Sequence, residues 1–283
     1  MTQAPLWLEL DGLVNARDVG GLPTVDGRTT RPGVLLRADN LQDLSARDVE
    51  RLVGELGLRT VVDLRSTGEV HLAGPTPLAG RVAHHQLSLI PEWDGEPDEA
   101  EVQRALETLE EDHVEKALPT LQDFAPRERD RPGDPTDLVS HYVGYVEQAG
   151  GNVARALKVL ADPEAGPTLV HCAAGKDRTG VVVALALSLA GVTRDAVVAD
   201  YLRSAERADR ILARLQATDA YGPSLKDVPV ADITPRAASM EGFLDHVDRA
   251  YGGPHGLALA LGVTEEEVAR LGVRLLGTSP SVR

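Results

Sequence analysis

The sequence is short of several residue types, and each shortage excludes a class of protein. A single cysteine, Cys172, excludes an internal disulfide framework and suits a reducing compartment. The longest apolar run, near Val181 to Ala190, is about half of what a membrane-spanning helix needs. The first residues carry neither the basic stretch nor the apolar core of a secretion signal. We therefore expect a cytoplasmic protein without a membrane span, with signal-less secretion left open.

Positive charge and aromatic residues are also scarce. There are 29 Lys and Arg residues against 44 Asp and Glu residues, which gives a net charge of −15 at pH 7. Nucleic acids recruit basic surfaces, so this balance argues against a nucleic-acid partner. Aromatic residues make up 3% of the chain, and Ala, Val and Leu must therefore supply most of the core. The 283 residues suffice for one large α/β domain with an insertion.

One stretch has the pattern of a chemical site, and it runs from Thr168 to Gly180. Its sequence is Thr-Leu-Val-His-Cys-Ala-Ala-Gly-Lys-Asp-Arg-Thr-Gly. The apolar residues at its start predict the end of a buried strand, and the apolar run after it predicts a buried helix. The tight loop between them would bring its backbone N–H groups together at a helix N-terminus. Such a loop is a site for an anion.

The residue types within the loop indicate which reaction the anion undergoes. A thiol at a helix N-terminus beside cationic groups is the typical environment of a reactive thiolate. Cys172 could attack a phosphorus atom held by the loop and form a phospho-cysteine, which water then cleaves. Arg178, six residues later, could bind two phosphoryl oxygens at once. Gly175 would permit backbone angles that other residues resist, and the Thr179 hydroxyl could stabilise the thiolate.

Cys-x5-Arg, preceded by His171 and followed by Thr179-Gly180, resembles the signature of the cysteine-dependent protein tyrosine phosphatases. The fuller string resembles an atypical bacterial branch of tyrosine and phosphoinositide phosphatases. The resemblance implies an α/β fold with a central, mostly parallel sheet flanked by helices, and a phosphomonoesterase acting on phosphoprotein or phosphoinositide without a cofactor. It implies that phosphate is bound by the loop residues Ala173, Ala174, Gly175, Lys176, Asp177, Arg178 and Thr179.

The sequence contains three candidates for the general acid that protonates the leaving group. Expelling an alkoxide needs a general acid, whereas a phenoxide needs less help. Asp177 is the preferred candidate because the resembled branch has the same Lys-Asp-Arg string. Asp94 is a second candidate by its position ahead of the loop, and Asp63 is a third. His171 is expected to orient the thiol. Lys176 would either favour substrates with more than one phosphate or help to hold the thiolate.

Two shorter strings also resemble the same branch, and each has a structural alternative. Asn15-Ala-Arg-Asp-Val-Gly-Gly21 is read as a structural turn with an Arg–Asp pair in preference to a substrate contact. Asp63-Leu-Arg65-Ser66, with Glu69 following, lies at the carboxyl end of a predicted strand, where α/β proteins bind ligands. Asp63 is either an acid supporting the site or the partner of Arg65 in an ion pair.

The rest of the chain predicts flanking elements and one insertion within a single domain spanning residues 1–283. The predicted strands cover 34–38, 59–64 and 81–90. The predicted helices cover 45–57, 138–160 with a break at Gly150-Gly151, 193–215 and 236–250. Residues 222–235 are expected to be irregular, and Thr264 with Glu267 caps a final helix. Residues 92–136 combine an acidic stretch, which keeps a helical stripe of apolar residues, with a charged, proline-rich connector. They are either a mobile lid over the loop or a solvated appendage.

Two adjacent histidines are the candidate metal ligands in the sequence. His84 and His85 are adjacent on a predicted strand and point to opposite faces, so they cannot bind one metal together. With no other His or Cys at ligand spacing, the sequence predicts no metal site. Three alternatives to a phosphatase of phosphoproteins or phosphoinositides remain. They are a phosphatase of a small metabolite such as a nucleoside or sugar phosphate, a rhodanese-like sulfurtransferase, and a phosphate-binding module without turnover.

Overall fold

The computed structural model describes residues 6–90, 135–218 and 220–277. They form one six-stranded sheet in the order β1-β2-β3-β6-β4-β5. The strands are β1 (Leu6–Trp7), β2 (Arg17–Asp18), β3 (Leu35–Ala38), β4 (Thr60–Asp63), β5 (Ala83–Gln86) and β6 (Thr168–His171). The four strands β3, β6, β4 and β5 are mutually parallel, while β1 and β2 pair antiparallel at one edge. The predicted α/β fold with a mostly parallel sheet is therefore confirmed.

The helices flank this sheet. They are α1 (Ala46–Glu50, continued by a π-helical turn at Arg51–Glu55), α2 (Thr67–Ala73), α3 (Pro135–Ala161), α4 (Asp177–Leu189), α5 (Arg194–Leu202), α6 (Ala208–Gln216), α7 (Gly222–Leu225), α8 (Val230–Ile233), α9 (Ala237–Tyr251), α10 (Pro254–Ala260) and α11 (Glu265–Leu276). Short 3-10 turns lie at Pro163–Ala165 and Arg203–Arg207.

Strand β6 lies in the middle of the sheet because both of its faces are apolar. Leu169 packs on one face in a cluster with Leu36 and Val61, and Val170 packs on the other face with the residues of α4. Each fully buried Val or Leu side chain contributes about 1.5–3 kcal/mol to folding. The register aligns Ala38, His171 and Asp63 at the same level on the three central strands. The carboxyl ends of these three parallel strands therefore lie side by side at one end of the sheet.

Local signals placed several elements correctly. Ser45 forms the N-terminal capping box of α1, and Thr264 forms that of α11. The predicted break in the helix before the central strand occurs at Ala149, where φ is −120° and ψ is 26°, one residue ahead of the glycine pair.

Other boundaries were wrong. The helix expected over 193–215 is interrupted by the 3-10 turn at 203–207, where the buried Ser204 hydroxyl bonds to Asn15. The irregular stretch at 222–235 contains α7 and α8. The strand expected over 81–90 is limited to 83–86.

Most of the predicted insertion at 92–136 lies outside the described residues, as does Asp94. Among the helices that the structure does describe, none is both long enough and apolar enough to cross a membrane.

Candidate active site

Cys172 lies directly after β6, at the edge of the sheet where the three central strands end. It is the lone cysteine, and its residue is 2% exposed. The backbone N–H of Leu64, just beyond β4, donates to the His171 carbonyl at 2.9 Å and fixes the start of the loop against the sheet. The nucleophile predicted from the sequence is therefore buried at the end of the central strand.

The signature loop, Cys172 to Arg178, is held from outside by its carbonyl groups. Four successive carbonyls accept hydrogen bonds from the scaffold: Ala173 from the Asn40 N–H (3.0 Å), Ala174 from Asn15 Nδ2 (2.9 Å), and Gly175 and Lys176 from Arg37 Nη2 (2.8 and 3.4 Å). In a trans peptide the N–H points opposite to the preceding carbonyl. Carbonyls directed outward therefore turn the following N–H groups inward. Within the described residues, no backbone hydrogen bond uses the N–H groups of Ala173 to Lys176.

Gly175 is required by the shape of the loop. Its φ is +65°, and a Cβ added there would lie 2.4 Å from the Ala38 carbonyl oxygen. Both the backbone angle and the close approach to β3 exclude a side chain. The expectation that a glycine opens this turn agrees with its geometry.

A buried charge network holds Arg37 in place beneath the loop. Asp200, on α5, accepts from Arg37 Nη1 at 2.5 Å and from Arg17 Nε at 2.9 Å. Burial would raise the pKa of the Asp200 carboxyl, but the two guanidinium groups hold that pKa below its ordinary value. Burial and the charge of Arg37 lower the pKa of Arg17 to about 10, which leaves it cationic at neutral pH. The Arg–Asp pair expected inside the N-terminal turn is thus formed with Asp200 and not with Asp18.

Asp18 has a different function because adjacent strand residues point to opposite faces. Its carboxylate accepts from the Gly20 N–H at 2.8 Å and from the Gly33 N–H at 2.5 Å. The turn is therefore structural. Its Asn15 side chain contacts the signature loop directly, and its Arg17 side chain is linked to the loop through Asp200 and Arg37.

Arg178 is oriented by Glu69. Its Nη1 donates to Glu69 Oε2 at 2.6 Å and its Nη2 donates to Oε1 at 2.8 Å. Burial would lower the pKa of Arg178, yet Glu69 and the nearby Cys172 raise it above its ordinary value. The same Glu69 carboxylate accepts from the Ser66 N–H at 2.8 Å and completes the capping box of α2. One side chain thus fixes both the helix start and the guanidinium.

Asp177 begins α4 and is held by a tyrosine. The Tyr142 hydroxyl donates to Asp177 Oδ1 at 2.5 Å and lies 2.8 Å from the Tyr201 hydroxyl. Burial and the charge of Asp177 raise the pKa of Tyr142 well above its ordinary value, so that hydroxyl remains a donor. The Asp177 side chain is 21% exposed, and Lys176 Nζ lies 3.5 Å from its Oδ2. Lys176 also donates to the Ile233 carbonyl at 2.5 Å, so its ammonium points toward α8.

Asp63 and His171 face each other behind the nucleophile. His171 Nε2 lies 3.4 Å from Asp63 Oδ2, and its Nδ1 lies 3.3 Å from the Cys172 carbonyl oxygen. Arg65 donates to both Asp63 oxygens, at 2.9 Å from Nε to Oδ1 and 2.5 Å from Nη2 to Oδ2. Burial would raise the pKa of the Asp63 carboxyl, but His171 and Arg65 hold it well below its usual range. Of the two roles considered for Asp63, the ion pair with Arg65 is observed.

The remaining loop residue, Thr179, is fully buried in the first turn of α4. Its hydroxyl has no hydrogen-bond partner in the described part of the chain, Cys172 included. The expected contact between this hydroxyl and the thiolate is therefore absent from this structure.

A cleft of about 280 Å³ opens beside the loop. It is bordered by Ala173 of the loop, by Glu69 and by Tyr221, whose hydroxyl lies 3.4 Å from Arg178 Nη2. Polar groups of Gln42 and Asp43 and the half-exposed Leu72 form its outer part. This cleft is the space in which the remainder of a phosphorylated molecule could lie.

Sequence reasoning missed several residues that shape this site. Glu69 had a signal, since Ser66-x-x-Glu69 is a capping-box pattern, but nothing in that pattern shows that the carboxylate also reaches Arg178. Arg37, Asp200 and Tyr142 had no local signal, because each acts on the loop from a distant part of the chain.

The comparisons with known proteins agree with this geometry. The model of the tyrosine phosphatase family matches residues 8–277, so the chain belongs to that family and is a hydrolase of the tyrosine phosphatase class. It is 32% identical to the triple specificity protein phosphatase PtpB of Mycobacterium tuberculosis, over 95% of this chain and 99% of that protein. It is also 35% identical to a putative tyrosine-protein phosphatase of Cupriavidus necator, over 71% of this chain and 63% of that protein.

Proposed function

We propose that this chain hydrolyses phosphomonoesters of phosphoproteins or phosphoinositides through a phospho-cysteine on Cys172. The observation that carries the proposal is the loop above this residue. Its carbonyls are fixed outward on Asn40, Asn15 and Arg37, which leaves its N–H groups for the oxygens of a bound phosphoryl group. Preorganised donors of this kind stabilise charge that develops in the transition state.

The first step forms a sulfur–phosphorus bond and breaks the phosphorus–oxygen bond of the ester. The Cys172 thiolate supplies the electron pair, and the leaving oxygen takes a proton from Asp177. Arg178, whose fork is aligned by Glu69, would bind the equatorial oxygens. In the second step water attacks phosphorus, Asp177 takes its proton, and phosphate and the thiolate are released.

Asp177 is supported as the proton carrier by its position. It begins α4 directly after the loop, its side chain is partly exposed, and its carboxylate is fixed by Tyr142. Asp63 is fully buried behind His171, and both of its carboxylate oxygens accept hydrogen bonds from Arg65. Its position supports a role in orienting the His171 ring and not in donating to the leaving group.

The substrate class is inferred from the family and from one relative of this chain. PtpB of Mycobacterium tuberculosis is described as a triple specificity phosphatase, which supports a broad range of phosphorylated residues for this chain. Lys176 is a second cation at the loop, and a substrate with additional phosphates would have to draw its ammonium from the Ile233 carbonyl. Phosphopeptides, phosphoinositides and phosphorylated nucleosides or sugars should be compared on the wild type and on Lys176→Gln.

The outcome of that comparison ranks the substrates. A selective loss on phosphoinositides in Lys176→Gln supports contact with the second phosphate, whereas an equal loss on every substrate places Lys176 in support of the loop. Turnover confined to nucleosides or sugars would favour the metabolite phosphatase instead.

The reaction type is tested with p-nitrophenyl phosphate and thiosulfate. The proposal expects phosphate release by the wild type, no release by Cys172→Ser and a strongly reduced rate for Arg178→Lys, which keeps the charge but loses the two-pronged grip. Thiocyanate formation from thiosulfate and cyanide without phosphate release would instead indicate a sulfurtransferase. Phosphate binding without either reaction would indicate a binding module.

A further inference from the structure

Three potential metal ligands from different strands converge behind the signature loop. They are an oxygen of Asp63, a ring nitrogen of His84 and a ring nitrogen of His171, and all three atoms lie within 4.8 Å of one another. The sheet register brings them together: Asp63 on β4 is opposite His171 on β6, and His84 on β5 is opposite Val61, two residues before Asp63 on the same face. These three residues are far apart in the chain, so spacing along the sequence does not reveal them as a group.

The separations suit a small divalent cation. His171 Nε2 and Asp63 Oδ2 are 3.4 Å apart, and His84 Nε2 and Asp63 Oδ2 are 3.9 Å apart. Tetrahedral Zn²⁺ with bonds of about 2.0–2.2 Å requires ligand atoms about 3.4 Å from one another. The first pair already fits, and a small rotation of the partly exposed His84 ring would bring in the third ligand.

One ring nitrogen of His171, Nε2, faces the Asp63 carboxylate in this cluster. The Cys172 carbonyl can only accept, so the neighbouring Nδ1 carries a proton when the two are hydrogen-bonded. In the neutral ring Nε2 is then an acceptor that faces the Asp63 carboxylate. This Nε2 is buried and has no hydrogen-bond partner among the residues that the structure describes. A cation bound between this nitrogen and the Asp63 carboxylate would satisfy both atoms.

The groups behind these ligands have the arrangement found around metal sites. Metal-binding histidines commonly donate their second ring N–H to a carbonyl, as His171 does to Cys172, and ligating carboxylates are themselves hydrogen-bonded, as Asp63 is to Arg65. A carboxylate has about four lone-pair directions, so Asp63 can serve both Arg65 and a metal. The positive charge of Arg65 weakens metal affinity, which suits reversible binding.

We propose that Asp63, His84 and His171 form a Zn²⁺ site, with water completing the coordination, and that the bound ion inhibits the enzyme. The ion would enter past His84, whose side chain is 31% exposed. It would draw the His171 ring toward β5 and change the support of the adjacent Cys172. Metal binding does not depend on the proposed function, whereas the inhibition rests on it.

Binding is tested by calorimetry with Zn²⁺ on the full-length Cys172→Ser protein, which lacks the thiolate as a competing ligand. His84→Asn is added to this background, and His85→Asn, a change of the neighbouring histidine on the opposite face, is the matched control. We expect the His85 variant to bind as the parent does and the His84 variant to bind at least about tenfold more weakly. No binding by the parent, or equal affinity in the His84 variant, would overturn the site. Thermal melting without metal checks that both variants fold.

The inhibition is tested by titrating Zn²⁺ into the wild type, His84→Asn and His85→Asn during p-nitrophenyl phosphate hydrolysis. We expect equal activity without metal and a higher Zn²⁺ requirement for inhibition only in His84→Asn. Equal inhibition of all three proteins would place the inhibitory ion elsewhere and refute this half of the proposal. A wild type that lacks phosphatase activity without metal would refute the proposed function, while calorimetry would still decide the site.

Discussion

Glu69 grips Arg178 with both carboxylate oxygens, at 2.6 and 2.8 Å, while the same carboxylate caps helix α2. The orientation of Arg178, the proposed phosphate-binding residue, is therefore tied to a helix start more than a hundred residues away in the chain. Losing one partner of such a buried charged pair leaves the other charge uncompensated, which is costly.

Glu69→Gln should lower kcat/KM for p-nitrophenyl phosphate roughly a hundredfold, because Arg178 loses its aligned partner. Steady-state kinetics measures this directly. Ser66→Ala is the control, since it removes only the side-chain cap, which should cost about 0.5–2 kcal/mol of stability. If Ser66→Ala reduced kcat/KM as much as Glu69→Gln, the clamp would be no more than a consequence of the helix cap.

Asp200→Asn should destabilise the protein by about 3–5 kcal/mol at neutral pH, because Arg17 and Arg37 would share a buried site without their counter-charge. The pKa of Asp200 is lowered in the folded state, so its stabilising contribution is present above the ordinary value of 3.8 and fades as the pH falls below it. Urea unfolding from pH 7 to pH 3 should therefore show the stability difference between the two proteins begin to narrow below about pH 4. A stability difference that stayed constant through acid would contradict the ion-pair account.

Tyr142→Phe should reduce kcat/KM for alkyl phosphates by roughly tenfold and for aryl phosphates by less, because Asp177 loses its positioning partner and only alkoxides depend strongly on a proton donor. Tyr145→Phe is a close control, since this neighbouring buried hydroxyl has no hydrogen-bond partner among the described residues. Equal losses on both substrate types would show that Tyr142 supports packing and not the proton carrier.

Gly175→Ala should abolish activity, because a methyl group would be forced against the Ala38 carbonyl in a backbone region that costs roughly 1–3 kcal/mol for other residues. Gly57→Ala is the matched control: its φ is +67°, and an added Cβ there would meet no atom within 4 Å. Turnover and melting temperature should be measured for both. An active Gly175→Ala enzyme would show that the loop does not need its observed shape.

The sequence was sufficient to predict the parts of the site that depend on local spacing. Cys172, Gly175 and Arg178 are close in the chain, and the strand before them and the helix after them have clear apolar patterns. The capping boxes at Ser45 and Thr264 were equally local. Such features follow from hydrogen bonds over three or four residues, which sequence spacing expresses directly.

The supports of the loop could not be predicted in this way. Arg37 and Asp200 are 163 residues apart and meet only because β3 and α5 pack near the same loop. Tyr142 reaches Asp177 from α3, and His84 reaches Asp63 only through the order of the strands. The prediction of one helix over 193–215 was wrong for a similar reason. The 3-10 turn contains Ser204, which makes a tertiary hydrogen bond to Asn15, and local helix propensity carries no information about that contact.

Trapping the proposed phospho-cysteine tests most directly whether the phosphoryl group is transferred to Cys172 before it reaches water. The wild type should be mixed with p-nitrophenyl phosphate, quenched rapidly and digested, and its peptides analysed by mass spectrometry. We expect one phosphoryl group on the peptide containing Cys172 and none on any peptide of Cys172→Ser. Phosphate on a different residue, or undiminished hydrolysis by Cys172→Ser, would contradict the phospho-cysteine mechanism.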